Sequence, residues 1–351
     1  MLNVFLLGLD AFNARELASI RGADGMRFHR LLTHEEVVRP RGVADFDALL
    51  DRAAAELDAF PGRVDAVASY WDFPSSAIAG VLRNARGLPG PTDAAICKCE
   101  HKVWSRIEQR AAVPAMVPAF AAFDPFAADP LAQIGLDFPF WVKPVKAHSS
   151  HLGFRIRDRA AFERHLPEIR AGIGRFGGPF DQYLARLDLP ETVRGIGGHW
   201  CIAEEIISAG RQCTLEGYVH AGETVIYGFV DSVRAGRHRS SFARYQYPSA
   251  LPGRVRARMA QAAAAVMARF GYDGAPFNME FFWDPARDRI RLLEVNARIS
   301  KSHCPLFRMV DGHSHQEVMV DLALGRRPCF PRRAGAFRMA AKFMLRVFED
   351  G

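Results

Sequence analysis

The 351 residues, 49% hydrophobic and 24% charged, lie in the ordinary globular range and suffice for two or three domains. The formal charge of +7 invites a nucleic-acid reading, which the distribution of charge excludes: only six of the 46 basic residues are lysine and the arginines form no continuous basic stripe. No apolar run can span a bilayer, Met1–Ala11 lacks a positive n-region, and the cysteines (97, 99, 201, 213, 304, 329) make no CxxC pair, so a cytoplasmic protein with reduced thiols is expected.

Leu2–Leu9 is a continuous apolar run followed by a helix-like stretch at Asn13–Ile20, the strand–turn–helix opening of an α/β domain. Arg27–Leu32 and Val64–Tyr70 read as further strands and Ala44–Ala59 as an amphipathic helix; another helix runs from Trp71 to Ala85 with Asp72 as its N-cap. The breaker GLPGPT at 87–92 closes this Rossmann-like unit, which has no G-x-G-x-x-G after its first strand.

A helix carrying Lys98, Glu100, His101 and Lys102 then runs to Arg110. Phe138–Val145 is a strand with Lys143 inside it, and a lysine in a core strand needs an anionic partner or a cavity mouth. Lys146–Gly153, with Ser149 and Ser150, followed by the strand Phe154–Ile156, outlines a phosphate-cradling hairpin. Such a loop reads equally as an exposed turn. Arg159–Ala171 is helical, Gly172–Gly198 is Gly-rich and irregular, and His199–Ile207 is a strand. Gln212–Val219 and Thr224–Val230 form a hairpin, Arg234–Tyr247 a basic aromatic loop, and Gly253–Phe270 an Ala-rich helix. Gln316–Leu324 is a helix, and Ala336–Val347 begins another element.

Between these last helices lies the stretch with the most chemistry. Ala275–Phe282 and Ile290–Asn296 are adjacent strands joined by a Pro/Asp-rich turn. Glu280 is in the first; Glu294 and Asn296, two apart, share a face of the second. Two carboxylates and an amide make an oxygen site suited to magnesium. Arg298 continues that face, where its fork could hold a carboxylate or a developing anion. Lysine's compact charge is the usual phosphate partner, and four of the six lysines fall at 98–102 and 143–146.

In this order the segments resemble the ATP-grasp superfamily across most of the chain. They are His101-Lys102 leading to Val113-Pro114 and Val117-Pro118, then Phe140-Trp141-Val142-Lys143-Pro144. Next come Ala203-Glu204-Glu205-Ile206-Ile207 with Gly217-Tyr218, and last Asn278-Met279-Glu280-Phe281 with Leu293-Glu294-Val295-Asn296-Ala297-Arg298. Two positions depart from the family pattern: His101 stands where Asp usually precedes the first lysine, and the phosphate loop holds one glycine, Gly153.

The resemblance implies an α/β (α+β) fold: a Rossmann-like domain at 1–97, an ATP-grasp linker helix and small lid subdomain at 98–200, a large subdomain with the metal site at 201–330, and a C-terminal segment at 331–351. It implies a ligase joining a carboxylate to an amine or other nucleophile through an acyl-phosphate, with ATP and magnesium (or manganese) as cofactors. Lys102, Lys143, Ser149, Ser150, Glu204, Glu205, Ile207 and Gln212 would contact the nucleotide. Glu280, Glu294 and Asn296 would hold metal, and Arg298 with Lys143 would act in catalysis. The implied partners are a small carboxylate and a small amine, with no nucleic acid and no membrane; a homodimer is compatible. The alternatives are a biotin-carboxylase-like enzyme forming carboxyphosphate and a nucleotide-binding protein without turnover.

Overall fold

The chain is described by a computed structural model over residues 1–38, 40, 42–148, 151–235 and 241–345. Its opening part contains β1 (Leu2–Leu7), α1 (Ala11–Ala18), β2 (Met26–Leu31), α2 (His34–Val37), α3 (Phe46–Asp58), β3 (Ala66–Ala68) and α4 (Ser75–Ala85). The three strands pair in parallel in the order β2-β1-β3, with Val4 opposite Ala66 and Phe28. Asp10, just past β1, caps α1 by accepting from the Asn13 N–H at 2.8 Å, and Asp45 caps α3 in the same way.

α5 (Asp93–Glu100) and α6 (Lys102–Ala112) lead into a four-stranded antiparallel sheet. It is built from β4 (Phe120–Phe123), β5 (Phe140–Pro144) and β6 (Phe154–Ile156), then, beyond α7 (Arg159–Gly172), α8 (Gly174–Leu184) and α9 (Glu191–Arg194), β7 (Cys201–Glu205). The order is β4-β7-β5-β6. A six-stranded antiparallel sheet follows, β12-β11-β8-β9-β10-β13. Its members are β8 (Arg211–His220), β9 (Glu223–Ala235), β10 (Ser241–Tyr247), β11 (Ala275–Asp284), β12 (Arg289–Asn296) and β13 (Ala340–Phe343). α10 (Gly253–Phe270) precedes β11, and α11 (Cys304–Asp311) and α12 (Gln316–Ala323) follow β12.

Helical spacing explains the core of the large sheet. Val255, Met259, Ala262, Val266 and Phe270 recur at three- and four-residue steps on α10, and all are buried against Leu215, Phe277, Met279 and Phe281. Each large side chain so buried stabilises by roughly 1.5–3 kcal/mol. Gly271, at φ +64°, then ends the helix in the left-handed region that glycine adopts without strain.

A second core crosses from the parallel sheet's helices to the four-stranded part. Phe46 of α3 and Phe73 meet Phe180 and Tyr183 of α8, with Phe73 edge-on to Phe180 at 5.3 Å between ring centres. The small sheet and α7 enclose their own cluster of Phe123, Phe140, Val142, Phe162 and Ile169.

Four sequence expectations are corrected. The helix expected through 98–110 is two helices broken at His101, whose Nδ1 accepts from the Trp104 N–H at 3.1 Å and caps the second. Gly172–Gly198 is not irregular: α8 and α9 occupy much of it, because Phe180 and Tyr183 find apolar partners despite the flanking glycines. Arg234–Tyr247 is not a free loop, since β9 runs to Ala235 and β10 begins at Ser241. Asp72 does not cap α4; the cap position is Pro74, without a side-chain bond, and Asp72 is drawn instead to Arg298.

Candidate active site

β11 and β12 place Glu280 directly opposite Glu294 and Asn278 opposite Asn296. Burial and then the Glu294 charge push the Glu280 carboxyl well above the ordinary range, so the pair is short of positive charge. Gln212 on β8 donates to Glu280 Oε2 at 2.6 Å, and Arg234 on β9 donates to Gln212 Oε1 at 2.7 Å. Asn296 Nδ2 donates to Asn278 Oδ1 at 2.9 Å, which turns the two amides into one unit. Asn278 Nδ2 in turn donates to the Arg298 carbonyl at 3.1 Å, fixing the chain where it leaves β12.

Magnesium fits this donor set. Two facing carboxylates that repel each other and a neighbouring amide oxygen are hard ligands, few enough that ligand phosphates would complete the shell. Among the described residues there is no group of three or more His, Cys, Asp and Glu that could hold a metal.

Arg298 crosses to the opening sheet. Its Nε donates to Asp72 Oδ1 at 2.7 Å, 226 residues away in the chain. Burial opposes the charge on each, yet each partner outweighs it: the Asp72 carboxyl stays below its usual range and the Arg298 guanidinium above its own. Behind the strand, the wholly buried Glu216 accepts from the Ser300 N–H at 3.3 Å and from His303 Nδ1 at 2.7 Å, fastening the segment that carries Arg298.

The lysine side of the site is built around Glu204. Lys143 Nζ lies 2.6 Å from Glu204 Oε2, and Arg106 Nε donates to Glu204 Oε1 at 2.5 Å. Burial opposes ionisation of Glu204, but Arg106 and then Lys143 bring its carboxyl down to about 2. Arg106 also donates to the carbonyls of Leu292 at 3.1 Å and Leu293 at 2.6 Å, tying α6 and the small sheet to β12. Lys102 donates to the Ala147 carbonyl at 2.7 Å; burial, then Lys146 and Lys143, brings its pKa down to about 7. An ammonium so depressed gains by meeting an anion. Lys146 pairs with Glu100, which also accepts from Ser76 Oγ at 2.6 Å. His101, just before Lys102, is buried and neutral, with Nε2–H donating to Ile196 O at 2.8 Å and its pKa lowered to about 4 by burial.

The structure thus brings Glu280, Glu294, Asn296 and Gln212 together, and it gathers Lys102, Lys143 and Glu204 with them through Arg106. The Glu294 charge is felt at Lys102 and at Arg298. Glu205 faces Arg291 Nη2 at 3.2 Å, and Ile207 lies just past β7, its carbonyl accepting from the Ala209 N–H at 2.8 Å. Ser149 and Ser150 lie outside the described residues. Sequence reasoning missed Arg106 and the functional place of Asp72. Both were open to detection: Arg106 is one helical turn from Lys102, and Asp72 follows β3 at the carboxyl edge of a parallel sheet, where ligands gather.

A family model, the carbamoyl-phosphate synthase L chain ATP binding domain, matches residues 220–327. No curated protein sequence matches the chain. Among solved structures, the L-amino acid ligase from Bacillus licheniformis superposes with TM-score 0.71 at 16% identity, covering 99% of this chain and 81% of its own. The biotin carboxylase from Campylobacter jejuni gives 0.67 at 16%, covering 93% and 71%. The N5-carboxyaminoimidazole synthetase from Staphylococcus aureus, solved with ADP, gives 0.64 at 11%, covering 93% and 78%. Identities this low show the fold alone: the chain has the ATP-grasp fold of these structures, and the family model spans the strands that carry Glu280 and Glu294.

Proposed function

We propose that the chain is an ATP-dependent ligase that joins a carboxylate to an amine or other nucleophile and releases ADP and phosphate. The observation that carries this reading is the Glu280–Glu294 pair with Arg298 beyond it on the same strand exit, facing the lysines of α6 and β5.

A carboxylate is a poor electrophile until one of its oxygens carries phosphate. Its oxygen takes the terminal phosphoryl group of ATP, ADP leaves, and an acyl-phosphate results. The nucleophile then attacks the carbonyl carbon, the C–O bond to phosphate breaks, phosphate departs with the electron pair, and the amine gives up a proton. Lys102 and Lys143 hold the phosphates of the nucleotide, Lys143 turning from Glu204 or sharing it. Glu280, Glu294 and Asn296 hold magnesium, which when bound neutralises phosphate charge. Arg298, oriented by Asp72 and by the Glu216–Ser300 fastening, holds the acyl-phosphate or the tetrahedral oxyanion. The strand end at Glu204–Ile207 receives adenine, and residues 98–200 and 201–330 close on the nucleotide, with 1–97 ahead of them. Six free cysteines, five of them buried, agree with a reducing cytoplasmic setting. A homodimer stays compatible with this reading.

An organic carboxylate rather than bicarbonate as the activated acid is supported by the fuller superposition on the amino acid ligase. The test is ADP release with magnesium and ATP, screened over pools of carboxylic acids with and without amines. Release that needs both an acid and an amine is expected. Release driven by bicarbonate alone points to a carboxylase, and nucleotide binding with no release under any pool removes the enzyme reading.

A further inference from the structure

Among the described residues three lysines, Lys98, Lys301 and Lys342, have no part in the nucleotide site and no acidic partner, and of these Lys98 is held by the Phe270 carbonyl. Lys301 lies three residues past Arg298, and its Nζ sits 3.0 Å from the centre of the Trp71 ring. Trp71 is itself fixed, its indole N–H donating to the Gly8 carbonyl at 3.0 Å, so the ammonium rests at the carboxyl edge of β1 and β3. Lys342 stands on β13 opposite Tyr245 of β10, and the Tyr245 ring meets the His303 ring edge-on at 4.8 Å, two residues from Lys301. Lys342 is exposed on the edge strand, and its charge and that of Arg298 are both felt by Lys301 as repulsion.

Among the described residues neither ammonium donates a hydrogen bond or lies within ion-pairing distance of a carboxylate. The two acids nearest Lys301 are already engaged: Asp72 with Arg298, and Asp10 with the N–H and Nδ2 of Asn13 at 2.8 Å each. Glu216, behind His303, is committed to His303 and Ser300. A half-buried ammonium over an aromatic face keeps some attraction, but its donors still lack an acceptor.

We propose that Lys301 and Lys342 form, beside Arg298, a subsite for a second anionic group on a small substrate, a carboxylate or phosphate distinct from the carboxylate that is activated. Its place in a reaction rests on the ligase reading; its existence as a binding site does not. The selected substrates are acids with two anionic groups or amines that carry one.

Residue-level acetylation at pH 8, read by mass spectrometry, tests it without turnover. Lys98, bonded to the Phe270 carbonyl at 3.1 Å, serves as the internal control. Succinate or phosphoglycolate should slow modification of Lys301 and Lys342 by about tenfold, and propionate at the same concentration by less than about twofold, the contribution of one charge-assisted contact. Protection by succinate alone or by phosphoglycolate alone supports the subsite and identifies the group. Equal effects of propionate and the two-anion acids, no effect of any, or protection by magnesium-ATP alone overturns it. The double variant K301M/K342M, checked for an unchanged melting temperature, should raise KM for a two-anion substrate about tenfold while leaving KM for ATP in place. Protection without ADP release from any acid–amine pool would remove the ligase reading and leave the subsite standing; turnover with no preference for two-anion substrates would do the reverse.

Discussion

Replacing Glu204 with glutamine should destabilise the protein by about 3 kcal/mol at neutral pH. The carboxylate is buried between Arg106 at 2.5 Å and Lys143 at 2.6 Å, both themselves largely buried. Its pKa falls from an ordinary 4.5 to about 2. At about 1.36 kcal/mol for each pH unit, that difference is about 3 kcal/mol. Breaking a buried ion pair by removing one partner costs about 3–5 kcal/mol, the same order. The sign is fixed by the direction of the shift. A lowered carboxyl contributes its full stabilisation above the unfolded value near 4.5 and loses it as pH falls toward 2. Urea unfolding followed by fluorescence reads the effect: with a slope of about 3 kcal/mol/M for a chain of this size, the midpoint should drop by about 1 M. The gap between variant and parent should then narrow below pH 4.5. A midpoint that stays put at pH 7, or a gap that ignores pH, would refute the reasoning. A stable variant with impaired nucleotide affinity would show that the carboxylate serves the ligand instead of the fold.

Arg298→Ala should leave ATP affinity within a few-fold and cut turnover by about 10² or more, whereas Glu294→Ala should weaken magnesium-dependent ATP binding itself. Equal loss of ATP binding in both variants, measured by calorimetry, would remove Arg298 from the acyl-phosphate role. Because burial and Glu294 raise the Glu280 carboxyl, magnesium must displace a proton there, so magnesium affinity should rise with pH and binding should release protons. Calorimetry in buffers of different ionisation enthalpy checks this; affinity that is flat with pH would count against the acid pair as the metal site.

The strands bearing Glu280, Glu294 and Asn296 were legible because their alternation sets the face on which each side chain lies, and the register found puts the two glutamates opposite each other. The parallel opening sheet was equally readable from three short apolar runs separated by helical stretches. What local pattern could not supply was pairing across long distances. Asp72 before a helix has the spacing of a cap, and only the fold reveals Arg298 as its partner. Glu204 and Arg106 are 98 residues apart, and their contact depends on α6 lying across the small sheet. α8 was hidden for a different reason: its glycines and Pro179 lower helix propensity, but burial of Phe180 and Tyr183 outweighs that deficit.

The core shared by Phe46, Phe73, Phe180 and Tyr183 has an architectural consequence. It joins α8 and the helices of the parallel sheet to one face of the small sheet through Ile202 of β7, whereas α7 packs with Cys201 and Ala203 on the other face. The two helices meet at a single residue, Ile173, which ends one and begins the other. The small sheet therefore carries a separate core on each face, and Ile173 is the point where the chain passes from one to the other.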